Sequence, residues 1–392
     1  MSKKFMTKLT HKGEKAPSSI SYPKVPPIYL SSVFCFDSVE ELDLVYEKAE
    51  PGYVYSRMSN PTHHCTEEIL AALDEGDDAI VYSSGMAAIT MSILAFVKAG
   101  DHIISSNVLY GGTWEFLNSE LKKFNIEVSF VDFYRDDIEK YFKPNTKIIY
   151  METISNPLME VYDIKKIAKV AHDHKALLIV DNTFATPVIC QPLRLGADVA
   201  VYSVTKYLAG HSDILGGAVV ADKDKIEKIK HTGQIYGPTM SPFDSWLLMR
   251  SLRTLELRVV RHSENALKLA EYLENHQKVK KVYYPGLVSS PHKKTADEIF
   301  NNGLYGGMLS VDLYGGEKAA CNLIKNMKNI KLVPSLAGVS TTLSYPAKTS
   351  HRSMSREERE KAGISDGLLR VSVGLEDIED IITEFDAALH II

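Results

Sequence analysis

A lysine at the end of an apolar segment is the first residue of this sequence that could carry covalent chemistry. The mostly apolar residues 197–202 run into Ser203-Val204-Thr205-Lys206. Because burying an ammonium group is unfavourable, a lysine directly after a core strand has a lowered pKa and can act as a nucleophile that forms Schiff bases. The hydroxyls of Ser203 and Thr205 precede it on one strand face, where they could hold an anion such as phosphate. An exposed lysine in an ordinary turn would give the same pattern. Residues elsewhere in the chain must distinguish between these two interpretations.

Two more features supply what a pyridine-ring cofactor with a phosphate group needs. The turn at residues 83–85 joins a short apolar segment, 79–82, to a helix predicted over residues 86–99. Backbone N–H groups and the dipole at a helix N-terminus make such a turn an anion site. Asp181 ends the apolar run 176–180, where its carboxylate could keep a heterocyclic nitrogen protonated. A nucleophilic lysine, a carboxylate and a phosphate turn are the groups that a protein supplies to pyridoxal phosphate.

Alternating strands and helices must bring these groups together. Strands are predicted at residues 102–104, 128–131, 147–151, 177–180 and 199–202, with helices such as 113–124 and 164–174 between them. This alternation is typical of a mostly parallel sheet covered on both faces, which binds ligands at the carboxyl ends of its strands. We therefore expect one crevice to contain Ser84, Gly85, residues 152–156, Asp181 and residues 203–206.

The chain divides into three predicted parts. Residues 1–55, interrupted by prolines, form an N-terminal arm that packs on another subunit and contains a short helix at residues 39–50. Residues 56–255 form the cofactor-binding α/β domain. A long helical stretch over residues 243–274 links it to a smaller α+β domain, residues 256–392.

Composition excludes several classes of protein. The 392 residues carry a formal net charge of −5, whereas a general nucleic-acid binder needs a basic surface. No apolar run approaches the roughly 18 residues of a membrane span, and the N-terminus lacks the apolar core of a signal peptide. The four cysteines are widely spread and show no metal-binding spacing. We expect reduced thiols in a cytoplasmic protein without a metal site or a membrane partner.

Longer motifs contain these groups, and together they are highly specific. They are Pro26-Pro27-Ile28-Tyr29, Tyr55-Ser56-Arg57, Asn60-Pro61-Thr62, Ser83-Ser84-Gly85-Met86, Leu109-Tyr110-Gly111-Gly112-Thr113, Glu152-Thr153, Asn156-Pro157, Val180-Asp181-Asn182-Thr183, Thr205-Lys206-Tyr207, Gly210-His211-Ser212-Asp213, Tyr284-Pro285-Gly286-Leu287, Leu369-Arg370 and Glu376-Asp377. With them the chain resembles, over nearly its whole length, the transsulfuration (Cys/Met metabolism) family of pyridoxal phosphate enzymes. That family includes methionine γ-lyase, cystathionine γ- and β-lyases, cystathionine γ-synthase and O-acetylhomoserine sulfhydrylase.

The resemblance implies an architecture and an assembly. The fold would be the aminotransferase-like fold type I, an α/β fold with a mostly parallel central sheet, an N-terminal arm and a smaller α+β C-terminal domain. The assembly would be a homotetramer, a dimer of dimers, with sites shared between subunits. Its ligands would be pyridoxal 5′-phosphate and a small amino-acid substrate.

The resemblance also implies roles for residues around the cofactor ring. Lys206 would bind the cofactor covalently and move protons at the substrate α- and β-carbons. Asp181 would pair with the ring nitrogen, and Asn156 would contact the phenolic oxygen. Tyr110 would stack on the ring and act as the acid for the leaving group.

Further roles concern the phosphate and the substrate. The phosphate would be bound by Gly85, Met86, Ser203 and Thr205. Tyr55 and Arg57 would reach the phosphate of the neighbouring subunit. Arg370 and Ser335 would bind the substrate carboxylate, since a guanidinium fork suits that anion.

Three positions bear on which reaction is catalysed. Methionine γ-lyases usually have a cysteine where this chain has Gly112. Cystathionine enzymes commonly have an arginine where this chain has Glu115, and a glutamate where it has Ser340. The missing charges weaken the case for cystathionine, whose far end is a zwitterion, and a neutral pocket suits a small thioether. If Glu115 faces inward, it could instead favour a cationic far end. We therefore count Ser340 and Glu115 as candidate substrate-binding residues.

These observations predict a γ-lyase that splits methionine- or homocysteine-like substrates into 2-oxobutanoate, ammonia and a thiol. The alternatives are a cystathionine γ-lyase and a γ-replacement enzyme, similar to cystathionine γ-synthase or O-acetylhomoserine sulfhydrylase. A non-catalytic α/β binding protein would differ from all of them by taking up no pyridoxal phosphate.

Overall fold

The computed structural model describes residues 21–352 and 354–392. The part of the predicted arm that precedes residue 21 lies outside the described residues, and the rest of the arm is largely exposed. Its helix, α1 (Val39–Tyr46), begins where predicted and ends before residue 50. Ser38 caps it, because its Oγ accepts from the Glu41 N–H at 3.2 Å. The contact of this arm with another subunit stays a prediction.

A seven-stranded sheet forms the centre of the larger half of the molecule. Its strands are β1 (Asp78–Tyr82), β2 (His102–Ser106), β3 (Glu127–Val131), β4 (Thr146–Glu152), β5 (Leu177–Asp181), β6 (Val199–Ser203) and β7 (Gly217–Ala221). They lie in the order β1-β7-β6-β5-β4-β2-β3. Neighbours from β6 to β3 pair in parallel, and β7 runs antiparallel to both β1 and β6. The predicted α/β fold with a mostly parallel sheet is confirmed.

Helices cover both faces of this sheet. They are α2 (Pro61–Asp74), α3 (Gly85–Leu94), α4 (Gly111–Glu115), α5 (Leu121–Lys123), α6 (Ile164–Asp173), α7 (Thr186–Ile189) and α8 (Lys223–Tyr236), with a π-helical turn at Phe116–Glu120 between α4 and α5. In α6 the buried residues Ile164, Ile167, Ala168 and Ala171 recur at helical spacing, so one face packs on the sheet. The strands β5, β6 and β7 are mostly apolar because they are buried on both sides.

Specific hydrogen bonds define the ends of two helices. Helix α2 begins at Pro61, and Asn60 caps it by accepting from the Thr62 N–H at 2.8 Å. The Thr62 hydroxyl accepts from the Tyr29 N–H at 2.9 Å, a contact with the arm that sequence spacing does not reveal. Helix α3 ends at Leu94 and not at residue 99 as predicted, because the N–H of Phe96 donates to the carbonyl of Ile93, three residues earlier.

The helical stretch predicted over residues 243–274 is two helices, α9 (Pro242–Leu252) and α10 (Leu255–Glu274). A tertiary contact accompanies the break. The buried Arg258 of α10 donates to the carbonyls of Ser251 at 3.0 Å and Tyr207 at 2.7 Å. It thereby ties α10 to the residue directly after Lys206. Gly210 leaves room for this contact, since at its φ of 73° a Cβ would collide with the guanidinium.

The second sheet belongs to the smaller half of the molecule. Its strands are β8 (Val279–Tyr283), β9 (Met308–Leu313), β10 (Lys331–Leu332), β11 (Thr342–Ser344) and β12 (Leu368–Ser372), in the order β10-β11-β12-β9-β8. Its helices are α11 (Lys293–Ile299), α12 (Gly316–Asn326), α13 (Arg356–Lys361) and α14 (Ile378–His390). The domain boundary at residues 255–256 falls at the start of α10 and stays a prediction. Within the described ranges, no helix is both long and apolar enough to cross a bilayer.

Candidate active site

A cavity of about 630 Å³ opens at the carboxyl ends of β4, β5 and β6. Glu152, Asp181 and Ser203, the last residues of these strands, all line it. The predicted site residues that line it are Gly85, Met86, Tyr110, Asn156, Asp181, Ser203, Thr205, Lys206, Ser335 and Arg370. Residues far apart along the chain therefore meet in one cavity, as strand ends in an α/β sheet allow.

Lys206 lies in the turn after β6 and has an unusual environment for an amine. Its Nζ donates to Ser335 Oγ at 2.9 Å. Burial, and then the nearby charge of Arg370, lower its pKa to about 8. A substantial share of this amine is uncharged in weakly alkaline solution, and the uncharged form can act as a nucleophile or a base.

An anion-binding cradle, formed by residues 84–86, Ser203 and Thr205, lies on one side of the cavity. Ser84 Oγ caps α3 by accepting from the Ala87 N–H at 3.1 Å, which leaves the first N–H groups of the helix free for a ligand. A Cβ at Gly85 would lie 2.7 Å from Ser203 Oγ, so glycine keeps the cradle open. The cradle combines hydroxyls with a helix N-terminus and suits a phosphate group.

Asp181 is a buried carboxylate without a cationic side-chain partner in the described part of the chain. Its Oδ1 accepts from the Thr183 N–H at 3.0 Å. Burial raises its pKa above the ordinary aspartate value, and the Thr183 hydrogen bonds oppose this rise. A ligand that presents a protonated ring nitrogen would satisfy this carboxylate.

Arg370 of β12 is 5% exposed and reaches across from the second sheet. Its Nη1 donates to Asn156 Oδ1 at 2.9 Å, and its Nη2 lies 3.5 Å from the Ser335 carbonyl oxygen. No described residue accepts from its buried Nε. Burial lowers the pKa of the guanidinium to about 10, so the group remains charged at neutral pH. A buried, charged guanidinium with a free donor fits a carboxylate ligand.

Glu152 received no role from the sequence, yet it connects two parts of the site. Its Oε1 accepts from the Tyr110 N–H at 2.6 Å, and its Oε2 accepts from the Asn156 N–H at 3.2 Å. Burial and the neighbouring Asp181 raise its pKa well above the usual range. Its position at the end of β4 was the available signal, because strand ends carry the site residues in this fold.

Tyr110 directly precedes α4 and is the more open of the two predicted catalytic residues, with 46% of its surface exposed. Its ring lies over Gly112, where a Cβ would come 2.7 Å from the ring and 3.3 Å from Met86 Sδ. A cysteine at position 112 would therefore displace the tyrosine ring. Gly112 permits the ring position that this chain adopts.

Four predicted site residues lie outside the cavity of their own chain. Glu115 and Ser340 are exposed and do not line it. Tyr55 and Arg57 lie together at the surface, where the guanidinium carbon is 5.6 Å from the tyrosine ring centre and Nη1 donates to the Gln234 carbonyl. This position agrees with a role in a neighbouring subunit, which stays a prediction.

The mouth of the cavity contains residues that the sequence did not single out. They are Lys348, Thr349, Ser350 and Arg352, all on the segment that follows β11. No motif surrounds them, and only the tertiary fold brings this segment to the cavity.

The assembled groups fit pyridoxal phosphate, the cofactor predicted from the sequence. The cradle suits its phosphate, and the buried carboxylate of Asp181 suits its ring nitrogen. The partly uncharged Lys206 could bind its carbonyl carbon, which leaves Arg370 for the carboxylate of an amino acid.

Comparisons with known proteins agree with this site. Residues 6–390 match the family model described as Cys/Met metabolism PLP-dependent enzyme. The chain is 41% identical over 368 residues to an L-methionine gamma-lyase of Fusobacterium nucleatum, covering 93% of each chain. It is 42% identical over 386 residues to a cystathionine beta-lyase of Lactococcus lactis, covering 98% of each.

A solved structure shares the fold and contains the cofactor. It is a Campylobacter jejuni protein assigned as an O-acetylhomoserine (thiol)-lyase, which carries N′-pyridoxyl-lysine-5′-monophosphate. The two chains superpose with a TM-score of 0.89 at 32% identity, over 93% of this chain and 95% of that one.

Proposed function

This chain belongs to the Cys/Met metabolism family of pyridoxal phosphate-dependent enzymes, and from that membership we propose that it eliminates a thiol from the γ-carbon of methionine- or homocysteine-like amino acids. It is a pyridoxal phosphate-dependent carbon–sulfur lyase of the fold type I architecture. Methionine gamma-lyases at 41–42% identity support the choice of substrate.

One observation carries the proposal. Lys206, with a pKa lowered to about 8, shares a cavity with Tyr110 and Arg370. Arg370 would hold the substrate carboxylate, and Lys206 would face the carbons next to it. Tyr110 would lie near the departing sulfur, so binding and proton-transfer groups are present together.

The side chains would divide the reaction as follows. When bound, pyridoxal phosphate supplies an electron-accepting ring that stabilises negative charge at the substrate α-carbon. Lys206 would take the α-proton and then move a proton at the β-carbon, since its amine exchanges protons near neutral pH. Tyr110 would donate its hydroxyl proton to the sulfur as the Cγ–S bond breaks. Water is consumed when nitrogen leaves, and the products are a thiol, 2-oxobutanoate and ammonia.

A product assay separates elimination from replacement. The holoenzyme is incubated with methionine alone, and then with O-acetylhomoserine plus cysteine. We expect one 2-oxobutanoate and one thiol per methionine consumed. Formation of a new thioether from the second mixture, without oxo acid from either, would favour a γ-replacement enzyme and overturn the proposal.

We further propose a homotetramer whose sites are shared between subunits. The surface position of Tyr55 and Arg57, away from the cavity of their own chain, supports this assembly. Mixing the two variants Arg57→Ala and Lys206→Ala tests it, because a hybrid pair contains one complete site. Recovery of activity on mixing is expected, and persistent inactivity of exchanged subunits would contradict shared sites.

We also propose that the enzyme acts in the cytoplasm. The cysteines of the described residues, Cys35, Cys65, Cys190 and Cys321, are free thiols, which suits a reducing compartment. Cell fractionation with detection of the protein in the membrane or exported fraction would contradict this location.

A further inference from the structure

Two cations at the mouth of the cavity, Lys348 and Arg352, have no task in the proposed reaction. The other cations of the cavity are Lys206 and Arg370, and both are accounted for by the cofactor and the substrate carboxylate. Lys348 and Arg352 lie on the segment after β11, beside Thr349 and Ser350. We define residues 348–352 as the mouth segment.

The mouth segment lies on the side of the cavity where the leaving group departs. A Cβ at Gly111 would collide with the carbonyl oxygen of Ser350, so the segment packs directly on the turn that carries Tyr110. Ser350 and His351 also share a small cavity with Leu109 and Gly111. Because Tyr110 would protonate the departing sulfur, atoms beyond that sulfur extend toward the mouth segment.

Arg352 is available for a ligand. Its side chain is exposed, and within residues 21–352 and 354–392 no hydrogen bond or ion pair holds its guanidinium. Lys348 is partly engaged, since its Nζ lies 2.8 Å from Glu317 Oε1, but both side chains are more than half exposed. An exposed ion pair of this kind is weak and exchanges readily.

With Lys348 paired to Glu317, the uncompensated charge at the mouth is that of Arg352, and it is positive. Glu115, which could have favoured a cationic far end, is exposed and does not line the cavity. The acidic residues that do line it, Glu152 and Asp181, end strands of the central sheet and are engaged there. A guanidinium fork and an ammonium group in one cavity lining are donors that match a carboxylate. The Thr349 hydroxyl is not among these donors, because it donates to the Tyr345 carbonyl at 2.9 Å.

We propose that Arg352, assisted by Lys348, binds a carboxylate at the far end of the substrate's γ-substituent. This inference rests on the proposed function and adds a preference among its substrates, for γ-thioether amino acids that carry a distal anion. Arg352 is a specificity-determining residue, because it touches neither the reacting carbons nor the sulfur.

A matched pair of thioethers tests the proposal. S-(2-carboxyethyl)homocysteine and S-propylhomocysteine differ only in the distal carboxylate. Their kcat and KM are measured with the holoenzyme and with Arg352→Gln, Lys348→Met, the double variant and the charge-conserving Arg352→Lys. Lys318→Met, an exposed lysine on α12 outside the cavity, is the control.

The wild-type enzyme should prefer the carboxylate substrate, and the double variant should lose about tenfold of that preference, mainly through KM. Arg352→Lys keeps the charge but loses the fork, so it should retain part of the preference, and Lys318→Met should change nothing. Equal kcat/KM for both substrates, or a preference unchanged in Arg352→Gln, would overturn the inference while the lyase function stands. If neither substrate gave 2-oxobutanoate, the proposed function would fail and the inference with it.

Discussion

Replacing Glu152 with glutamine tests how the two halves of the site are joined. The two oxygens of Glu152 accept from the N–H groups of Tyr110 and Asn156, and Asn156 in turn accepts from Arg370. A carboxyl group can accept at both oxygens, whereas an amide can accept only at one. The variant Glu152→Gln therefore leaves one buried N–H without an acceptor, whatever the protonation state of the native carboxyl.

The expected loss follows from that unpaired group. A buried N–H without an acceptor costs about 1–3 kcal/mol. If the transition state bears the whole cost, kcat/KM falls about 5- to 150-fold. The contact with Tyr110 is shorter, 2.6 Å against 3.2 Å, so the amide oxygen should keep Tyr110 and release Asn156. Asn156, which accepts from Arg370, is then no longer held in place. Because Arg370 would bind the substrate carboxylate, KM should rise more than kcat falls.

Steady-state kinetics with methionine, together with thermal unfolding, measures this effect. Glu160→Gln is the matched control, since Glu160 is a half-buried carboxylate outside the cavity that accepts from the Tyr162 hydroxyl at 2.6 Å. An amide oxygen can replace that acceptor, so the control should stay within about twofold of wild type. Wild-type kinetics in Glu152→Gln would refute the view that both oxygens are needed.

Three further changes should have distinct effects. Arg370→Lys should raise KM about tenfold or more with a smaller change in kcat, because an ammonium cannot form the two-pronged contact with a carboxylate; an unchanged KM would contradict its role. Gly85→Ala should weaken cofactor binding, measured by titrating the apoenzyme, because the new Cβ would lie 2.7 Å from Ser203 Oγ; wild-type affinity would contradict the cradle. Burial raises the pKa of Asp74 from 3.8 in the unfolded chain to about 7 in the folded protein. The folded protein therefore keeps this proton more tightly, and its free energy of unfolding falls as pH rises from about 4 to 7. Calorimetry should accordingly find a smaller drop in Tm between pH 5 and pH 8 in Asp74→Asn than in wild type, and equal drops would argue against a raised pKa.

The sequence could predict the parts of the site that depend on local pattern. Lys206, Asp181 and the turn at residues 84–86 each follow an apolar strand, and strand ends in a parallel sheet meet at one edge. The mostly parallel sheet could be predicted for the same reason, since apolar runs alternated with helical periodicity. These inferences needed no knowledge of distant contacts.

Other features depend on contacts between residues far apart in the chain. The break between α9 and α10 coincides with the hydrogen bond from Arg258 to Ser251, and no glycine or proline marks it in the sequence. Whether Glu115 faces the cavity depends on the exact phase of α4, which periodicity over a few residues does not define. The mouth segment packs on Gly111, which is far from it in the chain. The positive charge at the mouth was therefore invisible in the sequence.

The bond that breaks is the most direct test of the account. Cystathionine contains both a Cγ–S and a Cβ–S bond, and the relatives of this chain include proteins named for cleaving at either carbon. The holoenzyme is incubated with cystathionine, and the 2-oxo acid is identified by mass spectrometry. We expect 2-oxobutanoate together with cysteine, in equal amounts, and neither product from Lys206→Ala. Pyruvate with homocysteine would contradict it.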